Sequence, residues 1–250
     1  MGVAAIDVVS LSKTFRDLSG TIHALGPVSF QVNAGTFTCL LGPTGCGKTT
    51  LLRIIAGLDS PDEGHIALSP GQGTRNPVVG YVFQQGALFP WMTVRANIEF
   101  PLRAAGVERD SRAEKVQRML EMVELEGFAS SYPHQLSGGM QQRTALARSL
   151  VREPDVLLLD EPFSSLDTRT SQLLQGKLRE LWQDRKTTVL FVTHNIEEAV
   201  YLAGEVLVLG HRPGRITRTQ SIRLTEPRDR LSADFTGYLF NLRQTFEELI

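Results

Sequence analysis

Eight residues, Gly42-Pro-Thr-Gly-Cys-Gly-Lys48-Thr49, constrain this chain more than any others. A strand-like apolar run, Thr36 to Leu41, leads into them. A helical pattern from Lys48 to Ala56, stopping at Gly57, leads out. Glycines at this spacing let successive backbone N–H groups turn inward around an anion. The helix starting at Lys48 aims the positive end of its dipole at the same point. With strand before and helix after, the spacing is that of a P-loop. Gly42, Pro43, Thr44, Gly45, Cys46, Gly47, Lys48, Thr49 and Thr50 are then the nucleotide-binding candidates. Lys48 is expected to reach the β- and γ-phosphates and the Thr49 hydroxyl to coordinate Mg²⁺.

The surrounding pattern extends this to a whole domain. Short runs rich in Val, Phe and Thr at Ile6 to Ser10, Pro27 to Val32 and Val78 to Phe83 read as strands. Pro61-Asp-Glu-Gly64 reads as a turn. From about Leu88 to Arg152 the pattern is helical, with helix-forming runs Arg112 to Glu124 and Met140 to Arg152. Strands return at Val156 to Asp160 and Thr188 to Thr193, with a helix between them over Thr170 to Arg185. Strand and helix in alternation argue for a parallel sheet covered by helices. The helical middle reads as an insertion into that sheet domain.

Val156-Leu-Leu-Leu-Asp160-Glu161 is an apolar strand ending in two carboxylates. Ionised carboxylates are costly to desolvate, so this ending points to the ligand crevice at the sheet's C-terminal edge. There Asp160 can support Mg²⁺, and Glu161 can polarise an attacking water as general base. A third stretch, Leu136-Ser137-Gly138-Gly139-Met140-Gln-Gln-Arg143, starts a helix. Ser137 is a good N-cap residue, and the two glycines expose backbone N–H groups.

P-loop, then Leu-Ser-Gly-Gly-x-Gln-Gln-Arg, then Leu-Leu-Leu-Asp-Glu-Pro, in that order, resembles the ATP-binding cassette (ABC) ATPases over nearly the whole chain. The resemblance implies an α/β fold: a P-loop NTPase (RecA-like) parallel sheet core, an N-terminal antiparallel β subdomain and an inserted α-helical subdomain. It divides the chain into a nucleotide-binding core (1–87 and 153–215), a helical insertion (88–152) and a short C-terminal extension (216–250). It also implies further roles. Gln84 is similar to the glutamine that senses Mg²⁺ and couples to a permease, with Gln85 as alternative. Asp167, in Ser165-Leu-Asp167, is similar to the D-loop aspartate. His194 is similar to the switch histidine on the γ-phosphate. Phe15 is similar to the aromatic that stacks on adenine, where the family more often has Tyr. Leu136, Ser137, Gly138 and Gly139 are implied to meet the ATP of a partner subunit, so that two cassettes sandwich two ATP molecules. Met140 stands where many members have Gln, and Asn195 where Asp is commoner. Asn195-Ile-Glu-Glu198 still fits a capping box in which Glu198 returns the bond.

Leu88-Phe-Pro90-Trp91-Met-Thr-Val94 and Val206-Leu-Val-Leu-Gly-His-Arg212-Pro213-Gly214-Arg215-Ile216 resemble the importer ATPases for nitrate, aliphatic sulfonates, taurine and related small solutes. Competing readings are an exporter or lipid-extraction ATPase, a soluble cassette protein, and a P-loop kinase. The last would lack the Ser-Gly-Gly signature. Charge bears on the second. Lys plus Arg number 26 against 27 Asp plus Glu, a net charge of −1, with no basic arm, so no nucleic-acid partner is expected. The expected partners are a second ATPase subunit, most simply an identical one, an integral membrane permease and, indirectly, a solute-binding protein. Nothing approaches a membrane span, and the N-terminus does not read as a signal peptide. The expected place is the cytoplasmic face of the bacterial inner membrane, held through the permease. Of the two cysteines, Cys46, beside the helix start and Lys48, is expected to be the open, reactive thiol, and Cys39, in an apolar strand, the inert one.

Overall fold

The structure, a computed structural model, describes residues 4–17, 20–69, 76–84 and 87–247. In chain order the elements are β1 (Ala4–Asp17), β2 (Gly20–Asn33), β3 (Phe37–Leu41), α1 (Lys48–Ile55), β4 (Glu63–Leu68) and β5 (Val79–Val82). Then follow α2 (Val94–Ala104), α3 (Arg109–Met122), α4 (Gly138–Leu150), β6 (Val156–Asp160) and α5 (Thr168–Arg185). The chain ends with β7 (Thr188–Thr193), α6 (Ile196–Leu202), β8 (Glu205–Leu209), β9 (Ile216–Ser221) and α7 (Ala233–Glu247). It divides into two compact units, Met1–Asn76 with Thr188–Ile250, and Pro77–Thr187.

The first unit holds an antiparallel sheet of order β2-β1-β4. In it β3 lies between β7 and β8 and is parallel to both, and β9 adds antiparallel to β8. Every residue of β3 and of β7 is buried, as expected of strands that read as unbroken apolar runs. Parallel pairing sets Leu41 opposite Thr193. Residues 42 onward and 194 onward therefore leave neighbouring strands at one sheet edge, and the Gly42 N–H donates to the Thr193 carbonyl at 3.4 Å.

Pro61-Asp-Glu-Gly64 does not end as a simple turn, because β4 begins inside it. Gly64 has φ +81, and a Cβ there would lie 2.4 Å from the Val9 carbonyl oxygen. The pairing of β1 with β4 shifts register between Val9 and Ser12. The glycine therefore marks a bulge, where two backbones approach too closely for a side chain.

In the second unit β5 and β6 pair in parallel from Val79–Val156 to Val82–Leu159. The expected helical stretch from Leu88 begins as a helix only at Val94, capped by the Thr93 hydroxyl accepting from Ala96 N–H at 3.2 Å. Residues 87–93 are loop, organised by Asn97, which is fully buried. Its Oδ1 accepts from Phe89 N–H at 2.9 Å, and its Nδ2 donates to the carbonyls of Phe89, Met92 and Thr93 at 3.2, 3.0 and 3.1 Å. One buried amide thus satisfies backbone groups that would otherwise be costly to bury. Trp91 is held on this loop with 70% of its surface exposed.

Candidate active site

The loop between β3 and α1 is shaped by two left-handed glycines, Gly45 (φ +81) and Gly47 (φ +103). Gly47 is also the N-cap of α1, which has no side-chain cap, so its first N–H groups face the loop. The Lys48 side chain folds back across the loop. Its Nζ donates to the carbonyls of Gly42 and Pro43 at 2.8 and 2.9 Å, and the residue is 4% exposed. Held there, the ammonium group places a positive charge inside the loop. Thr49 and Thr50 occupy the first turn of α1, half-buried, while Thr44 and Gly45 are exposed at the loop tip.

Cys46 does not have the accessibility its position suggested. Both cysteines are buried, at 1% exposure for Cys46 and 0% for Cys39. The Cys46 sulfur packs against Gly42, where a Cβ would come within 2.8 Å of it. With φ positive on both sides of it, the loop turns this one side chain inward. Burial pushes the Cys39 thiol well above the ordinary range, aided by the Glu198 carboxylate and opposed by Lys48.

His194 follows β7 and is exposed. The turn that carries it is pinned differently from a simple capping box. The Asn195 side chain caps α6, accepting from the N–H groups of Glu197 and Glu198 at 2.9 and 3.4 Å. The Asn195 N–H donates to the Thr193 hydroxyl at 3.0 Å, and that hydroxyl donates to Glu198 at 2.6 Å. The reciprocal bond expected of Glu198 is thus relayed through a threonine. Phe15, on β1, is 41% exposed, with the Lys13 ammonium 5.3 Å from its ring centre.

In the second unit β6 ends in Asp160 and Glu161, which are 2% and 9% exposed. The Tyr81 hydroxyl lies 3.4 Å from Asp160, and the Gln84 amide nitrogen 3.5 Å from Glu161. Gln85 lies outside the described residues. Glu161 adopts φ +46, an unfavourable region for a residue with a side chain. Its carbonyl is held by the Ser164 N–H and hydroxyl at 3.2 and 2.9 Å. Asp167 caps α5 from a fully exposed position, accepting from the Thr170 N–H and hydroxyl at 3.0 and 2.6 Å. Those bonds, from the hydroxyl first, hold its carboxyl below the usual range.

Ser137 caps α4 through Met140 N–H at 3.3 Å. Gly138 meets nothing within 4 Å where a Cβ would stand, whereas at Gly139 the Cβ would be 3.0 Å from the Leu166 side chain. Two residues that the sequence did not single out organise this region. Gln142, 2% exposed, donates to the Phe83 carbonyl at 3.1 Å and so ties the signature helix to the residue before Gln84. Asn97 shapes the loop that presents Trp91. A polar residue at a buried helical position was the available signal in both cases.

Each unit offers oxygen donors of the kind a hard cation such as Mg²⁺ takes: the Thr49 hydroxyl in the first, the Gln84 carboxamide and the Asp160 carboxylate in the second. Among the described residues no group of three His, Cys, Asp or Glu side chains could hold a metal ion by itself.

Residues 25–164 match the family described as ABC transporter. The chain is 47% identical over 235 residues to an uncharacterized ABC transporter ATP-binding protein of Methanocaldococcus jannaschii, covering 93% of this chain and 88% of that protein. It is 43% identical over 247 residues to the aliphatic sulfonates import ATP-binding protein SsuB of Bacillus subtilis, covering 98% and 95%. It is 43% identical over 221 residues to the nitrate import ATP-binding protein NrtD of Synechocystis, covering 88% and 83%. Among solved structures it is similar to the dimeric post-hydrolysis state of the ATP-binding cassette MJ0796 bound to ADP and Pi. The TM-score there is 0.79 at 32% identity, covering 88% of this chain and all of that one.

Proposed function

Because this chain belongs to the ABC transporter family, we propose that it is the ATP-hydrolysing subunit of an importer for an aliphatic sulfonate, nitrate, taurine or a related small solute. The relatives named for sulfonate and nitrate import support the direction and the solute class. It works as a pair of identical subunits on the cytoplasmic face of the inner membrane, held there by a permease that a solute-binding protein supplies. No helix among the described residues is long and apolar enough to cross a membrane, so contact with the bilayer falls to the permease. The division into core (1–87, 153–215), helical insertion (88–152) and extension (216–250) belongs to the same reading.

The observation that carries the proposal is the glycine loop: two left-handed glycines, an uncapped helix start and a buried Lys48 ammonium that donates to two carbonyls of its own loop. Gly42 to Thr50 bind the phosphates, Lys48 the β- and γ-groups, and Phe15 stacks on the base. Thr49, Gln84 and Asp160 would hold Mg²⁺, which would supply positive charge against the phosphate oxygens. Glu161 takes the proton of the attacking water, and His194 holds the γ-phosphate in place. Leu136 to Gly139 serve the partner's ATP, and Asp167 lies where the two subunits communicate. Gly138 supports this. The chain's own packing leaves open space where a side chain would stand, room for a partner to approach the backbone.

A mixing experiment tests the composite site. Ser137→Arg and Lys48→Ala subunits are each expected to be inactive alone. Mixed, they form heterodimers with one site that has both elements intact, and activity returns in part. Full activity of either variant by itself would sink the model.

A further inference from the structure

The turn after β8 carries Arg212-Pro-Gly-Arg215, which the mechanism above does not use. The Arg212 guanidinium donates twice to one atom, the Gly45 carbonyl oxygen, from Nε at 3.1 Å and Nη2 at 3.0 Å. Gly214 lies flush on the next peptide, where a Cβ would sit 2.2 Å from the Cys46 carbonyl oxygen. The turn is tied to β2 as well. Gly214 N–H donates to Ala24 at 3.1 Å, and Gly26 N–H to Gly214 at 3.0 Å. The Ala24 carbonyl in turn closes on Gly47, leaving 2.6 Å for a Cβ. The turn itself is closed by Gly210 N–H on the Arg215 carbonyl at 2.9 Å.

A loop that turns its N–H groups inward on an anion turns carbonyls outward. In a trans peptide the C=O and the following N–H point in opposite directions. Fixing the Gly45 carbonyl on Arg212 therefore fixes the Cys46 N–H toward the loop interior. That N–H lies 3.4 Å from the Pro43 carbonyl oxygen. The guanidinium also places a permanent positive charge directly behind the loop.

We propose that Arg212 is a positioning residue for nucleotide binding, a brace that presets the Gly45–Cys46 peptide and adds positive charge behind the phosphates. The proposal rests on the reading that Gly42 to Thr50 bind ATP. Loss of the guanidinium leaves the loop free to turn that peptide, so the cost falls on affinity more than on the chemical step.

The full chain is tested with a fluorescent ATP analogue for Kd and by steady-state hydrolysis. Arg212→Ala should raise Kd and KM about tenfold, the scale of one charge-assisted hydrogen bond, with a smaller effect on kcat. Arg212→Lys, which keeps the charge but not the fork, should recover part of the loss. The melting temperature should stay close to the parent, because Arg212 is exposed. An affinity change under about threefold, or a loss that tracks a lowered melting temperature and is not relieved by Lys, overturns the brace. Lys48→Ala is the control for the underlying reading. If it binds the analogue like the parent, the phosphate loop itself is misassigned, whatever Arg212 does.

Discussion

The Thr193 hydroxyl donates to the Glu198 carboxylate at 2.6 Å while accepting the Asn195 N–H at 3.0 Å, bracketing His194 between two fixed points. Thr193 is 2% exposed, so its hydroxyl is shielded from water, while Asn195 is exposed and Glu198 half-buried. Thr193→Val keeps the shape and removes the hydroxyl, taking one donor from the half-buried Glu198 carboxylate. The expected cost is about 1–3 kcal/mol of stability, and a drop in kcat with nucleotide affinity retained. A thermal melt read beside steady-state kinetics checks both. An unchanged kcat would show that the relay does not position His194.

Glu161 combines the proposed general base with φ +46. Glu161→Gln should retain ATP binding and slow hydrolysis by about two orders of magnitude or more, measured in a single turnover. Glu161→Gly should lose hydrolysis as well, yet gain about 1 kcal/mol of stability by relieving the left-handed conformation. A glycine variant less stable than the glutamine variant would mean that the backbone here is not strained.

Asn97 and Trp91 separate loop shape from loop contact. Asn97→Ala strips partners from four backbone groups of the Phe89–Thr93 loop, and should destabilise the chain by about 2 kcal/mol or more. Trp91→Ala, at an exposed site, should leave the fold intact and reduce permease co-purification, as removal of an exposed aromatic anchor commonly does. Co-purification unchanged in the Trp91 variant would remove this loop from the docking surface.

The C-terminal extension grips the helix that follows His194. Arg228 Nη1 donates to the carbonyls of Val200, Ala203 and Tyr201 at 2.6, 2.7 and 3.2 Å, closing the C-terminal end of α6. Arg230 pairs with Glu197 at 2.7 Å in its first turn. Arg228→Ala should lower the urea midpoint, by about 2–3 kcal/mol of stability for bonds from a charged donor. Hydrolysis should fall in parallel. A midpoint equal to the parent's would show that the extension contributes nothing to α6.

Both thiols should resist a maleimide in the folded chain and react only in denaturant, since both are buried and Cys39 is held well above its ordinary pKa. Mass spectrometry of peptides labelled with and without denaturant decides it. Rapid native labelling at Cys46 would mean that the loop opens in solution.

The strands β6 and β7 coincide with the apolar runs Val156 to Asp160 and Thr188 to Thr193, and α1 starts at Lys48 and ends against Gly57, φ +71. These were legible because a buried parallel strand, a glycine loop and a helix stop are written in consecutive residues. The order of motifs carried the family for the same reason. β4 was not legible, since its glycine reads as a turn until β1 is beside it. Neither was the inward face of Cys46, which depends on two backbone dihedrals rather than on neighbouring charges.

The sequence by itself determined the α/β class, the glycine loop between strand and helix, and the carboxylate pair that ends β6. Each is a local pattern that propensity and spacing can specify. Tertiary structure alone decided that Arg212 braces Gly45 across 167 positions of chain, that Gln142 reaches the Phe83 carbonyl, and that Asn97 folds the Trp91 loop. The physical reason is that a polar side chain names its capacity to donate or accept but not its partner. The partner is whichever backbone group the packed sheets and helices leave in need of one.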